Sequence, residues 1–329
     1  MLSLNLYIHG TGCIAPAADA DITASKRLAS EPNYTTWIPP MQLRRTSKVV
    51  RMGIGAAKLC TEAAGIEQPD ALSVGTAMGC LQDTEVFLGK MVSQDEKMLT
   101  PTAFIQSTHN TVGGQIALLM GCHGHNMTFV HRGHSFEHAV INTRLYLQDH
   151  PGQTVLTGGI DELTNSSHLL MQRVGLYRPE EGNAHGVTAG EGAAFFAMNE
   201  QAAGALLKIV SLHLFTTPHG DAAVNEVAQF LSSQQIAPQE IEQVVTGRNE
   251  EKESQSFYAG IRSMFPDAAM TGFKHLCGEY ATASAFALAN LTKELSNSIE
   301  ETNQPAPYTK NVLLVNHYCD QYSCWLLQA

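Results

Sequence analysis

The chain has 329 residues, 44% of them hydrophobic and only 16% charged, with 20 Lys and Arg against 31 Asp and Glu for a formal net charge of −11. That balance excludes intrinsic disorder, which needs low hydrophobicity and high charge. It also argues against nucleic-acid binding, because no basic excess is left to neutralise phosphates. The length suits two units of about 150 residues or one large α/β domain. No apolar run approaches the roughly 18 residues that a membrane span needs. The seven cysteines are scattered and form no CxxC pair, so neither a disulfide framework nor a zinc ribbon is expected, and a reducing, cytoplasmic compartment is.

Residues 4–8 alternate and predict a first β-strand rather than a signal peptide, closed by a turn at Gly10-Thr11-Gly12. Residues 17–42 are polar and contain prolines, hence loop-like. Residues 43–65 have helical spacing over a basic start and a stop near Gly65. A short strand is expected over 71–76 and a buried, small-residue helix over 111–120. A β-prone stretch follows at 126–130, then a helix over 134–147, and strands at 154–159 and 190–198. Strands and helices thus alternate through the first 200 residues, which predicts a parallel-rich sheet. The pattern restarts with a strand at 206–214, a helix at 222–231, a strand at 241–246 and a small-residue helix at 282–291. Strands at 312–316 and 323–327 close the chain. Two diverged halves, 1–203 and 204–329, are expected to meet near the linker 200–204.

Several segments in order resemble the β-ketoacyl synthase family. They are PTAFIQSTHNTVGGQIA at 101–117, Asn126-Met127-Thr128 ahead of a helix, and TGGIDELT at 157–164. RPEEGNAHGVTAGEGAAFFAM at 178–198, IAPQEIEQVV at 236–245 and KHLCGEYATASA at 274–285 complete the set. The resemblance covers most of the chain. It implies a thiolase-like five-layer αβαβα fold built from two duplicated halves. The chain is shorter than full-length members, with the loss concentrated near the N-terminus and in connections.

The resemblance also implies a chemistry: a helix-start cysteine accepts an acyl group, and two histidines stabilise the oxyanion formed on decarboxylation. Counted from the flanking motifs, the nucleophile position falls on Gly133, the first histidine on Gly247 and the second on Glu279. Glycine forms no thioester, and a carboxylate opposes a developing oxyanion. The family lysine is kept as Lys274, with Glu191 and Asp161 also retained. The family's Gly-rich closing loop is replaced by Asn316-His317-Tyr318-Cys319-Asp320-Gln321-Tyr322-Ser323-Cys324, which holds no glycine. His131, His134, Ser135 and Tyr318 remain as pocket or structural candidates.

These losses resemble the chain length factor, the inactive partner subunit of type II polyketide synthases. The segment IPPMQLRRTSK at 38–48 is similar to the short partners of aryl polyene pathways. The expected function is therefore a non-catalytic subunit, inactive alone, that forms a heterodimer with an active ketoacyl synthase in fatty acid or polyketide-type elongation. A homodimer remains open, and the acyl carrier protein is met only indirectly. The alternatives are a standalone acyltransferase or decarboxylase using His131, His134 or Glu279, and a homodimeric acyl-ligand binder. Arg44, Arg45, Lys48 and Arg51 are the candidate carrier- or partner-docking residues. His134 and His138 stand i, i+4, but HSFEH is not HExxH; no metal and no cofactor are expected.

Overall fold

A computed structural model describes residues 2–21, 23–97, 99–179, 186–302 and 308–329. Part of the 178–198 motif, residues 180–185, lies outside the described residues. The chain opens with β1 (Leu2–Ile14), β2 (Lys26–Arg27), α1 (Pro40–Leu43), α2 (Lys48–Ala64), β3 (Ala71–Gly75), α3 (Leu81–Ser93), α4 (Pro101–Gln106) and α5 (Thr111–Met120). It continues with β4 (Asn126–Phe129), α6 (Ser135–Asp149), β5 (Val155–Asp161), α7 (Asn165–Arg173), β6 (Ala189–Gly190) and β7 (Gly192–Asn199). The remainder is β8 (Leu207–Thr216), α8 (Gly220–Ser233), β9 (Ile241–Thr246), α9 (Gln255–Met264), β10 (Ala269–Gly272), α10 (Lys274–Cys277), α11 (Ala283–Thr302), β11 (Asn311–Tyr318) and β12 (Gln321–Gln328).

The strands form one ladder in the order β10-β9-β11-β12-β8-β1-β7-β5-β3-β4. Each five-strand half has the same internal order, with β1, β3, β4, β5 and β7 matched by β8, β9, β10, β11 and β12. The halves join through β1. Its start pairs with β8, and its end pairs with β7. Register irregularities at Ser3/Leu6 and Ile8/Gly10 let the ladder bend there.

The bend allows five layers. On one outer side, α2 and α5 pack Val49, Met52, Ile54, Val112 and Ile116 against Leu72, Val74 and Phe195 of the first half-sheet. On the other, α8 and α9 pack Val227, Phe230, Phe257 and Ile261 against Val244, Leu313 and Val315. Between the half-sheets, α6 and α11 share a core with Phe196, Ile209, Leu314 and Trp325. This is the αβαβα layering expected. Among the described residues no helix is long and apolar enough to cross a membrane.

Three sequence expectations are corrected. The glycines at 10 and 12 do not turn the chain; β1 runs through them. A Cβ at Gly12 would lie 2.1 Å from the Ala56 carbonyl oxygen, and one at Gly10 2.6 Å from the Ala64 nitrogen. The glycines are there so that α2 can lie against the strand. The helix expected over 43–65 starts only at Lys48, although it does stop at Gly65, whose φ is +66°. The sheet is mixed rather than parallel-rich: β7 and β12 are antiparallel to both their neighbours. β12 follows β11 after two residues, too few for the crossover a parallel pair requires.

Candidate functional site

The three expected catalytic positions and Lys274 converge on the end of β11. Gly133 lies in a short turn just before α6, buried, with Arg132 ahead of it at φ +53°. A Cβ on residue 133 would lie 2.6 Å from the Cβ of Tyr318. The Gly133 N–H donates to Gln321 Oε1 at 2.9 Å, so it is not free to receive an oxyanion. Gly247 directly follows β9, and its N–H donates to the Val315 carbonyl at 2.8 Å. A Cβ there would lie 2.2 Å from Asn316 Oδ1 and 3.1 Å from Phe273 Cζ. Asn316 and Tyr318 thus fill the space over two of the expected positions.

Glu279 occupies the third. Its Oε2 accepts from Lys274 Nζ at 2.7 Å and from the Asn249 amide. Lys274 also donates to the His317 carbonyl. Both Lys274 and Glu279 are buried. Burial pushes the Glu279 carboxyl up, and the Lys274 ammonium pulls it back. Glu279 Oε1 is buried without a hydrogen bond. His317 extends the network: its Nε2 meets Glu251 Oε2 at 2.6 Å and its Nδ1 meets the Tyr258 hydroxyl at 2.8 Å. Burial, and then the nearby Lys274, lower the His317 imidazole to about 4. The Glu251 carboxyl is pushed up by burial but held low overall by His317. We therefore assign a neutral imidazole that donates from Nε2 to an ionised Glu251 and accepts from Tyr258 at Nδ1. Sequence reasoning missed Asn249, Glu251, Tyr258 and His317 as a unit, since residues 66 apart in the chain carry no spacing signal.

The retained carboxylates are cross-braces. Asp161 Oδ1 accepts from Thr76, Ala77 N–H and Met78 N–H, and Oδ2 from the Thr282 N–H and hydroxyl at 3.2 and 2.9 Å. Glu191 is fully buried and accepts from Ala29 N–H, Leu163 N–H and Lys48 Nζ. Lys48, expected in a docking patch, is thus half-buried on Glu191, and Arg51 pairs with Glu31 at 3.1 Å. Only Arg44 and Arg45 are exposed, on the turn between α1 and α2 rather than on a helix face.

Ser135 Oγ accepts from His131 N–H at 2.8 Å and donates to the Arg132 carbonyl at 2.7 Å, a local turn bond. His134 is buried, its Nε2 3.0 Å from the Tyr322 carbonyl, and burial lowers it to about 4. His131 is exposed, with its ring 4.7 Å from that of His138. No group of three His, Cys, Asp or Glu side chains among the described residues is placed to hold a metal ion. Burial raises every one of the seven cysteine thiols, which disfavours the nucleophilic thiolate. Cys319 is exposed at the hairpin tip rather than in the core.

A cavity of about 380 Å³ opens beside Tyr318 and Glu279, with Met171, Val174, Leu176 and Val187 on its apolar side. Cys319 stands on its wall with a thiol that burial raises. The arrangement offers donors and a compensated charge pair, while the positions counted for the family's cysteine and two histidines hold Gly133, Gly247 and Glu279.

Residues 20–199 match the family profile described as beta-ketoacyl synthase, N-terminal domain. The chain belongs to the β-ketoacyl synthase family. No curated protein sequence matches it. Among solved structures it is similar to one described as the ishigamide ketosynthase/chain length factor, at TM-score 0.79 and 14% identity, covering 98% of this chain and 99% of that one. A β-ketoacyl synthase from Burkholderia phymatum STM815 gives 0.75 at 14% identity, over 99% of both chains. A type II polyketide synthase acyl carrier protein complexed with its ketosynthase bound to the hexaketide gives 0.74 at 14%, over 98% and 99%. These likenesses establish the thiolase-like ketosynthase fold.

Proposed function

We propose that the chain is a non-catalytic ketosynthase-like subunit of the chain length factor kind. It pairs with an active ketoacyl synthase in the cytoplasm and meets the acyl carrier protein through that partner. The carrying observation is Tyr318, whose Cβ lies 2.6 Å from where a Cβ on residue 133 would stand. A nucleophile cannot be restored there without moving β11. The edge strand β4 supports an obligate dimer. It ends the ladder, and Met127 within it and Val130 just after it are exposed, a liability that pairing would remove. The shared strand order of residues 1–203 and 204–329 supports the two-half organisation.

Co-expression with candidate ketosynthases tests this. The expected result is a 1:1 complex whose product length changes when Tyr318 and Leu176 are altered, and no thioester on this chain after incubation with acyl- or malonyl-carrier protein. A monomer that is acylated and releases CO₂ by itself overturns it. A second reading, a homodimeric acyl-ligand binder, is favoured by the apolar side of the cavity beside Tyr318. Native mass spectrometry showing a retained lipid on a homodimer selects it.

A further inference from the structure

A second, larger cavity of about 720 Å³ lies on the far side of the Lys274–Glu279 pair. It shares only Glu250 and Glu279 with the cavity beside Tyr318, and neither Gly133 nor Tyr318 reaches it. Thr246 and Gly272, the last residues of the parallel pair β9 and β10, stand in its wall. Open α/β sheets present ligands at such carboxyl ends, and the volume is that of a small-molecule site.

Its charge runs against the rest of the chain. Arg178, Arg248, Arg262 and Lys274 line it against Glu250 and Glu279, in a protein of net charge −11. Both carboxylates are already matched, Glu250 by Arg178 at 3.0 Å and Glu279 by Lys274 at 2.7 Å. Arg248 and Arg262 have no ion-pair partner among the described residues. Lys274 is 2% exposed and uses two of its three ammonium protons on Glu279 and the His317 carbonyl. Thr188, Thr271 and Asn249 add neutral hydrogen-bonding groups. Two uncompensated guanidinium forks beside such groups suit a phosphate, which takes Arg bidentately.

We propose that this cavity binds a small molecule through a phosphate or diphosphate head group held by Arg248 and Arg262. The rest of the ligand occupies the remaining volume. This goes beyond the subunit reading and does not depend on whether residue 133 can react.

Calorimetric titration of the purified chain with inorganic pyrophosphate tests it. Saturable 1:1 binding is expected, weakened at least tenfold in Arg248→Glu/Arg262→Glu. The equally charged Arg44→Glu/Arg45→Glu variant should bind as the wild type does. If the double reversal unfolds, the exposed single change Arg262→Gln carries the test, with a loss of at least threefold. Absence of saturable binding, or equal weakening by both double variants, overturns the proposal. Neither readout involves acylation or a partner subunit, so its failure is separable from failure of the subunit reading.

Discussion

The two halves carry the same strand order, and each reaches across to hold the start of the other's central helix. From the first half, Asp161 at the end of β5 accepts from the backbone and hydroxyl of Thr282, just before α11. From the second half, Tyr318 at the matching end of β11 covers Gly133, just before α6. One brace is a carboxylate with five donors, and the other is an aromatic ring over a glycine. The first suits a helix start, where free N–H groups and the dipole favour negative charge. The second closes the place where a family nucleophile stands. Both braces tie the start of a central helix to the opposite half, so they serve the central layer whatever chemistry the site performs.

The largest effect should come from breaking the Lys274–Glu279 pair, which holds the His317 carbonyl next to the second brace. Lys274→Met leaves Glu279 buried and uncompensated, and should lower stability by about 4 kcal/mol. Urea denaturation at pH 7 measures it, and Lys274→Met/Glu279→Met should recover much of the loss. A cost below about 1 kcal/mol would remove the pair from the account.

Glu137 compares the helix starts from inside. It lies in the first turn of α6, fully buried beside Ser284 and Ser323, yet neither oxygen has a hydrogen bond of proper geometry. Burial raises its carboxyl from 4.5 to about 7. Between those values the folded state holds the proton that the unfolded state has released. Its contribution to stability therefore falls as pH rises through that window, by up to about 3 kcal/mol. Denaturation curves at pH 4.5 and 8 should show Glu137→Gln matching the wild type at the lower pH and exceeding it at the higher.

Gly133→Cys should overpack against Tyr318 and cost about 2 kcal/mol. It should stay unacylated by carrier protein, as intact mass spectrometry would reveal. Adding Tyr318→Gly, which removes the Cβ that a side chain at residue 133 would meet at 2.6 Å, should relieve the strain, giving a favourable coupling in the double-mutant cycle. Additive effects would mean that the ring does not close the site.

The smallest effect belongs to the exposed arginines between α1 and α2. Arg44→Glu/Arg45→Glu should change stability by less than about 0.5 kcal/mol. If this patch docks an acidic partner, association should slow, and by less at high salt. An unchanged association rate removes the docking role.

Much of this was legible in the chain. Period-2 and helical spacing placed α5 and β9 at their observed bounds and most other strands within about two residues. The counted motifs placed Gly133, Gly247, Glu279 and Lys274 where the structure brings them together. The strand β10 and the helices α1, α3, α4, α7, α9 and α10 were missed. α3 has no buried residue to set a stripe, and α7 buries only His168. The glycines of β1 were misread because a turn and a close helix approach ask for the same residue. The basic run at 44–51 read as one surface, yet Lys48 and Arg51 have acidic partners that are distant or folded back in space.

Element spacing and the order of the motifs were readable along the chain, and the family resemblance they carried implied both the five layers and the placing of its nucleophile position on Gly133, because such signals are local and additive. What surrounds that position came from the tertiary structure alone. Tyr318 over Gly133, Asn316 over Gly247 and the Lys274–Glu279–Asn249 contacts each join segments that the chain keeps apart. The separation into one cavity with an apolar side and one lined by arginines likewise depends on which side of Glu279 each loop packs. Close packing in three dimensions fixes those contacts, and no spacing along the chain encodes them.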